Sequence, residues 1–392
     1  MIRARFARSL ATGVGVCAAL VGAAAIACVG AFAAVPGSSP RITLSDLERD
    51  YELRALGISP EGAVIHLMTA SSPKGSPSAV MPLLWTVADA SGKVVSQQDP
   101  LARLPSPLSP AIVYRGPDAG TGFVVTSDGI ANLLLQTTTG DCLLRLRRAP
   151  EAPVVVPIDL GRGAVVRRML AAGGDRLLLI GAVGEQPLVA VIGLDGTVLT
   201  RHQIREAGVG IVGAVVEPDS SIVVVGAKGM FPNATTWVGR LSPGGAAVAA
   251  TEFPGNPADV ARGSDGTTLI LIGSGMSEMT AKAIGPTLAE RWTRTLVSGL
   301  SVPTPFHVAA VSSGGFVVTG TKERALWVSR LTVDGSEMWT DTVDPSASPE
   351  MEMTNHVELT ASRDACAVAY SAFVVVGREQ RRMVRTFQFP VK

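Results

Sequence analysis

Short apolar runs dominate the chain from residue 50 onward, and they stop at glycine with a regularity that points to one fold. Gly173-Gly-Asp-Arg-Leu-Leu-Leu-Ile-Gly181, Glu217-Pro-Asp-Ser-Ser-Ile-Val-Val-Val-Gly226, Gly263-Ser-Asp-Gly-Thr-Thr-Leu-Ile-Leu-Ile-Gly273 and Ser313-Gly-Gly-Phe-Val-Val-Thr-Gly320 are each a turn followed by a short strand-forming run. Their last glycines stand 45, 47 and 47 residues apart, so a repeat has to be considered before any list of separate domains. The same form closes at Thr69, Gln136 and Tyr370, which brings the copies to seven. A second element follows the first. Trp237-Val-Gly-Arg-Leu-Ser-Pro-Gly-Gly245 and Trp327-Val-Ser-Arg-Leu-Thr-Val-Asp-Gly335 match closely and lie 90 residues apart, with looser copies at Leu188 to Gly196 and Trp85 to Gly92. Both are apolar stretches entering a glycine turn, the pattern of a hairpin. Trp292 and Trp339 recur after that turn, in Glu290-Arg-Trp-Thr and Glu337-Met-Trp-Thr.

One period therefore reads strand, turn, strand, loop, strand, turn, strand, which is one blade of a β-propeller. The expected fold is all-β: seven four-stranded blades over residues 51–392, with six or eight left open by the looser copies. A lone sheet of this composition has two apolar faces, and each fully buried Val, Leu or Ile is worth about 1.5–3 kcal/mol, so blade-on-blade packing has to dominate stability. Small residues on first strands (Ala171-Ala172, Gly213-Ala214, Ala309-Ala310) suit a crowded axis. The tryptophans follow the period and are read as blade-to-blade packing. The last repeat ends in a hairpin, Gly377 to Phe389, with no outer strand after it. An open edge invites aggregation, so residues 35–50, around Arg41-Ile-Thr-Leu44, are expected to add a strand and close the ring. A short helix capped at Ser45-Asp-Leu-Glu48 is the second choice there. Ser/Pro-rich residues 71–82 and 99–118 lengthen two loops.

The N-terminus is of another kind. Arg3, Arg5 and Arg8 precede an uncharged run, Val14 to Ala34, that ends in small residues before Val35-Pro-Gly37. This is the form of a secretory signal over residues 1–34, with an uncleaved anchor as the competing reading. Ala25-Ile-Ala-Cys28 is similar to a bacterial lipoprotein signal, with Ala where Leu is usual. An exported, periplasmic or extracellular protein is the expectation, with the membrane touched only through this segment. The formal charge is +1 and those three arginines are the only charges in the first 34 residues, so the remainder carries −2. Such a chain lacks the basic field that nucleic acid requires. Cys142 and Cys366 sit singly in apolar runs and read as buried hydrophobes, without metal-type spacing.

Turn-Gly-Phe-Val-Val-x-Gly, then Trp-Val-x-Arg-Leu-x-x-Asp-Gly, then Trp, resembles the repeats of exported bacterial seven-bladed β-propellers in the broad quinoprotein-like superfamily, most closely over residues 165–345. The resemblance implies the fold far more than an activity, since such propellers serve as enzymes, assembly factors and binding modules alike.

Hydrolase, zinc-protease and nucleotide-loop signatures are missing from the sequence. Gly208-Val-Gly-Ile-Val-Gly213 fits a dinucleotide pattern, but a β-branched run follows where a helix is required, so it reads as a turn entering an inner strand. His307 and His356 each precede Val at the start of a first strand, and Arg168 and Asp259 are their rough equivalents elsewhere. At the mouth of an axial channel these four are candidates to bind an anion or a metal or to exchange protons, set against a solvated tunnel lining. Arg378, Arg381, Arg382 and Arg385 read as a solvated hairpin face. The expectation is a non-catalytic binding or scaffolding module of the cell envelope, with no cofactor and no metal, taking a protein or small ligand on one face. The alternative is a lyase, lactonase or quinoprotein-like enzyme with its site at the axis.

Overall fold

The computed structural model describes residues 51–70, 83–102, 122–137, 140–147, 151–206, 208–230, 233–274, 278–298, 306–322, 325–343, 351–376 and 379–391. Every regular element among them is a β-strand. They form seven antiparallel sheets in strict chain order, six of four strands and a last one of three. The chain is a seven-bladed β-propeller.

Each run that the repeat picks out becomes the second strand of a blade, from Val64–Ala70 in blade 1 through Arg176–Val183 in blade 3 to Ala365–Val376 in blade 7. These strands are apolar at consecutive positions because both of their faces are covered. Among the described residues the core divides into seven buried clusters, each drawn from two neighbouring blades. Successive side chains of a strand point opposite ways. Leu177 and Leu179 accordingly join blade 2, whereas Leu178 and Ile180 join blade 4. Fourth strands such as Ala247–Pro254 alternate exposed with half-buried positions, as an outer strand facing water should.

Backbone spacing at the axis is set by residues that lack a Cβ. A Cβ on Gly57 would collide with Val125 of the next inner strand, and one on Gly213 would lie 2.5 Å from Val260 Cγ1. Gly208 leads into the strand Val209–Val216, not a helix, so the dinucleotide pattern is a strand entrance. On the rim, Trp292 of blade 5 lies on the third-to-fourth turn of blade 6, its Nε1 donating to the Val333 carbonyl at 2.8 Å. Trp339 of blade 6 stacks on Phe389 of blade 7 with ring centroids 5.6 Å apart. Both tryptophans are inter-blade wedges.

Blades 1 and 7 meet face to face. Leu53, Met68, Ala367, Ala369 and Val384 share a cluster; the Leu53 N–H donates to Ser371 Oγ at 2.9 Å, and His66 Nε2 lies 2.8 Å from Thr386 Oγ1. The closing strand expected at residues 41–44, its helical alternative at 45–48, the signal segment and most of both Pro-rich loops lie outside the described residues. So do the side chains of Arg378, Arg381 and Arg382, while Arg385 is half-buried.

Candidate functional site

Inner strands carry the candidate residues toward one another. Arg168 lies in the first strand of blade 3, Ala164–Ala171, and Asp259 follows a bulge in that of blade 5, Asn256–Arg262. His307 opens the first strand of blade 6, His307–Ala310. Arg168 crosses blade 4 to reach its partner. Its Nη1 donates to the Val212 carbonyl at 2.6 Å and its Nη2 to Asp259 Oδ1 at 2.9 Å. Gly213, next to Val212, is held without a Cβ by Val260 of blade 5 rather than by the arginine, from which a Cβ there would stand at an ordinary contact distance of 3.6 Å. Asp259 Oδ2 accepts the Val308 N–H at 3.1 Å and faces His307 Nδ1 at 3.6 Å. The last distance is too long for a good hydrogen bond, so charge carries that contact. Arg168 and Asp259 together thereby tie four consecutive blades.

The electrostatics follow from this arrangement. Burial alone would raise the Asp259 carboxyl, yet Arg168, then His307, then the Val308 N–H overcome it and hold the group well below the usual carboxylate range. Burial pulls the His307 ring down, but Asp259 and, more weakly, Glu358 outweigh it and Arg168, so the ring titrates above its ordinary value. The His307 side chain is 26 % exposed, and its Nε2 has no protein partner among the described residues. A carboxylate-oriented imidazole with a free nitrogen can donate to an acceptor when protonated and accept a proton when neutral.

Glu358 escaped the sequence reading. His307 pairs with Thr319, one residue before Gly320, and Glu358 pairs with Ala369, one residue before Tyr370. Glu358 thus holds in blade 7 the register that His307 holds in blade 6. The shared His-Val dipeptide hides this, because the ladder is irregular between Met353 and Val357. His356 lies on the strand Met351–Ala361, with its side chain outside the described ones. Arg168, Asp259 and His307 do come together.

Other titratable groups serve the packing. Cys142 and Cys366 are buried and unpaired by disulfides, and burial pushes their thiols up to about 11 and about 12. Glu217 and Arg262 form a second inner ion pair at 2.9 Å between blades 4 and 5. Among the described residues no three His, Cys, Asp or Glu side chains group as a metal site.

No family model matches the chain, and no curated protein matches it in sequence. Solved structures do. YCF48 bound to D1 peptide is similar at 13 % identity with a TM-score of 0.50, covering 90 % of this chain and 97 % of its own. Puromycin hydrolase is 15 % identical with a TM-score of 0.49; this chain is covered over 85 % and spans about half (54 %) of the hydrolase. The PQQ-bound aldose sugar dehydrogenase of Streptomyces coelicolor is 10 % identical with a TM-score of 0.42, covering 71 % of this chain and 96 % of its own. At these identities the likeness concerns the β-propeller fold alone.

Proposed function

We propose that the protein is an exported, non-catalytic β-propeller that binds or scaffolds in the cell envelope, contacting its ligand at the axial group of Arg168, Asp259 and His307, with His356, whose side chain lies outside the described ones, as the fourth candidate. One observation supports this above the others: both oxygens of Asp259 are occupied by Arg168, Val308 and His307. A carboxylate committed in this way ties blades 3, 5 and 6, holds the imidazole by charge, and is not free to take up a proton itself. Rigid positioning of a few polar groups on a stiff scaffold suits recognition.

A second reading, a lactonase, lyase or quinoprotein-like enzyme, is favoured by the open Nε2 of His307, the atom a general base would use. The two readings part in a turnover assay on the purified chain, using lactone hydrolysis and quinone-dependent dye reduction in the wild type and His307→Gln. The binding reading expects equal, background rates. Turnover that disappears in His307→Gln would replace it with the enzyme. Export is checked by cell fractionation with intact mass: recovery in the cytoplasm with residues 1–34 retained would remove that part of the proposal.

A further inference from the structure

The innermost strands carry bulges at the level of the axial group. Arg54 in blade 1, Arg167 in blade 3, Val212 in blade 4 and Ala258 in blade 5 are each the unpaired extra residue of a first strand. Arg168 and Asp259 directly follow two of them, and Val212 supplies the carbonyl to which Arg168 donates. Bulges re-aim side chains, and two of these four are arginines. Arg54 Nε donates to Thr69 Oγ1 at 2.8 Å. Arg167 is exposed and has no hydrogen bond or ion pair among the described residues. On a first strand that exposure opens to the channel mouth, because the other three strands of the blade stand between it and the rim.

Hydrogen-bonding capacity left over at this level is donor capacity. Both Asp259 oxygens are taken, by Arg168 and by the Val308 N–H with His307 beside it. Glu358, the other carboxylate that acts on His307, is buried. Against them stand His307 Nε2 and the Arg167 guanidinium, both open, and Arg168 Nε, which is buried without an acceptor. Spare cationic donors call for an acceptor that is negatively charged. Blades 3 and 6 stand on opposite sides of the seven-membered ring. The two open donors therefore approach the axis from opposite sides, and a ligand that meets both needs an acceptor at each end.

We infer that the channel mouth binds a small dicarboxylate lying across the axis, one carboxylate on His307 Nε2 and the other on Arg167. This rests on the proposal that the axial group holds the ligand, and adds the ligand's chemical class. The test titrates the full chain with succinate, glutarate and adipate, followed by calorimetry and by NMR of the His307 ring. Butyrate, dimethyl glutarate and 1,5-diaminopentane are the controls. At least one diacid should bind, weaken with salt, and raise the His307 titration point, since it favours the protonated ring. Butyrate should bind at least tenfold more weakly, and the ester and the diamine not at all. Arg167→Gln, at an exposed site, should lose about tenfold in affinity with its melting temperature unchanged, and His307→Gln should lose a similar factor. Equal affinity in Arg167→Gln, or no diacid bound by the wild type, overturns the inference alone. Binding of the ester or the diamine that disappears in His307→Gln also overturns it and leaves the axial reading standing. Diacid binding that leaves the His307 resonances unmoved puts the ligand elsewhere and overturns both.

Discussion

Acidification should open the seam between blades 1 and 7 before it harms the rest of the ring. His66 is 3 % exposed in that seam, 2.8 Å from Thr386 Oγ1. Burial drives its ring from the ordinary 6.5 down to about 4, against a weaker opposing pull from the Thr86 backbone. The fold therefore favours the neutral ring. For a depressed histidine the stabilisation is fully present above 6.5 and is lost as pH falls toward 4, because the unfolded chain takes up the proton first. Between pH 7.5 and pH 4 that difference amounts to roughly 3 kcal/mol at 1.36 kcal/mol per pH unit, a large share of a typical folding free energy. Other groups titrate over the same range, so the measurement is a comparison. Unfolding free energies from urea titration of wild type and His66→Gln, which keeps a polar partner for Thr386 but cannot titrate, should diverge by about that amount at pH 4 relative to pH 7.5. Amide exchange in Tyr51–Ile58 should accelerate in wild type. Parallel pH profiles for the two proteins would refute the reasoning.

Two further outcomes follow from the wedge and the axial brace. Gly335 has φ +84° and an added Cβ would lie 2.8 Å from the Trp292 ring; Gly335→Ala should cost about 2–4 kcal/mol from backbone strain and overpacking, and an unchanged thermal midpoint would deny that this turn seats the indole. Asp259→Asn should cost roughly 3 kcal/mol by leaving Arg168 without its counter-charge, and should lower the His307 titration point as followed by NMR. A His307 titration that does not move would mean that its raised value has another source.

The repeat was legible because each second strand is buried on both faces and must end at the rim, which writes a short apolar run and a stop into every period. The axial group was legible in part. Arg168, Asp259 and His307 declare themselves as polar residues on inner strands, but Arg168 and Asp259 pair across an intervening blade, a contact between repeats two periods apart that no local pattern announces. Glu358 was hidden for a different reason. Identity of dipeptides aligns His356 with His307, whereas hydrogen-bond register aligns Glu358 with it, and only the irregular ladder before Val357 separates the two.

The same wedge logic bears on how the ring is held at its ends. The blade 1–7 cluster contains Ala367 and Ala369 on the blade 7 side, whereas the blade 2–3 cluster sets Leu143 and Ile158 against Leu177 and Leu179. Alanine buries less apolar area than leucine, so these two positions gain less from the hydrophobic effect. What it has instead is polar: Leu53 N–H to Ser371, His66 to Thr386, and Gln388 Nε2 to the Gly62 carbonyl at 3.1 Å. Buried hydrogen bonds add little net stability but are expensive to leave unmade. They therefore reject wrong registers of blade 1 on blade 7 more strongly than they strengthen the right one. A ring closed in this way is specific where its first and last blades meet and sensitive to the protonation of one imidazole.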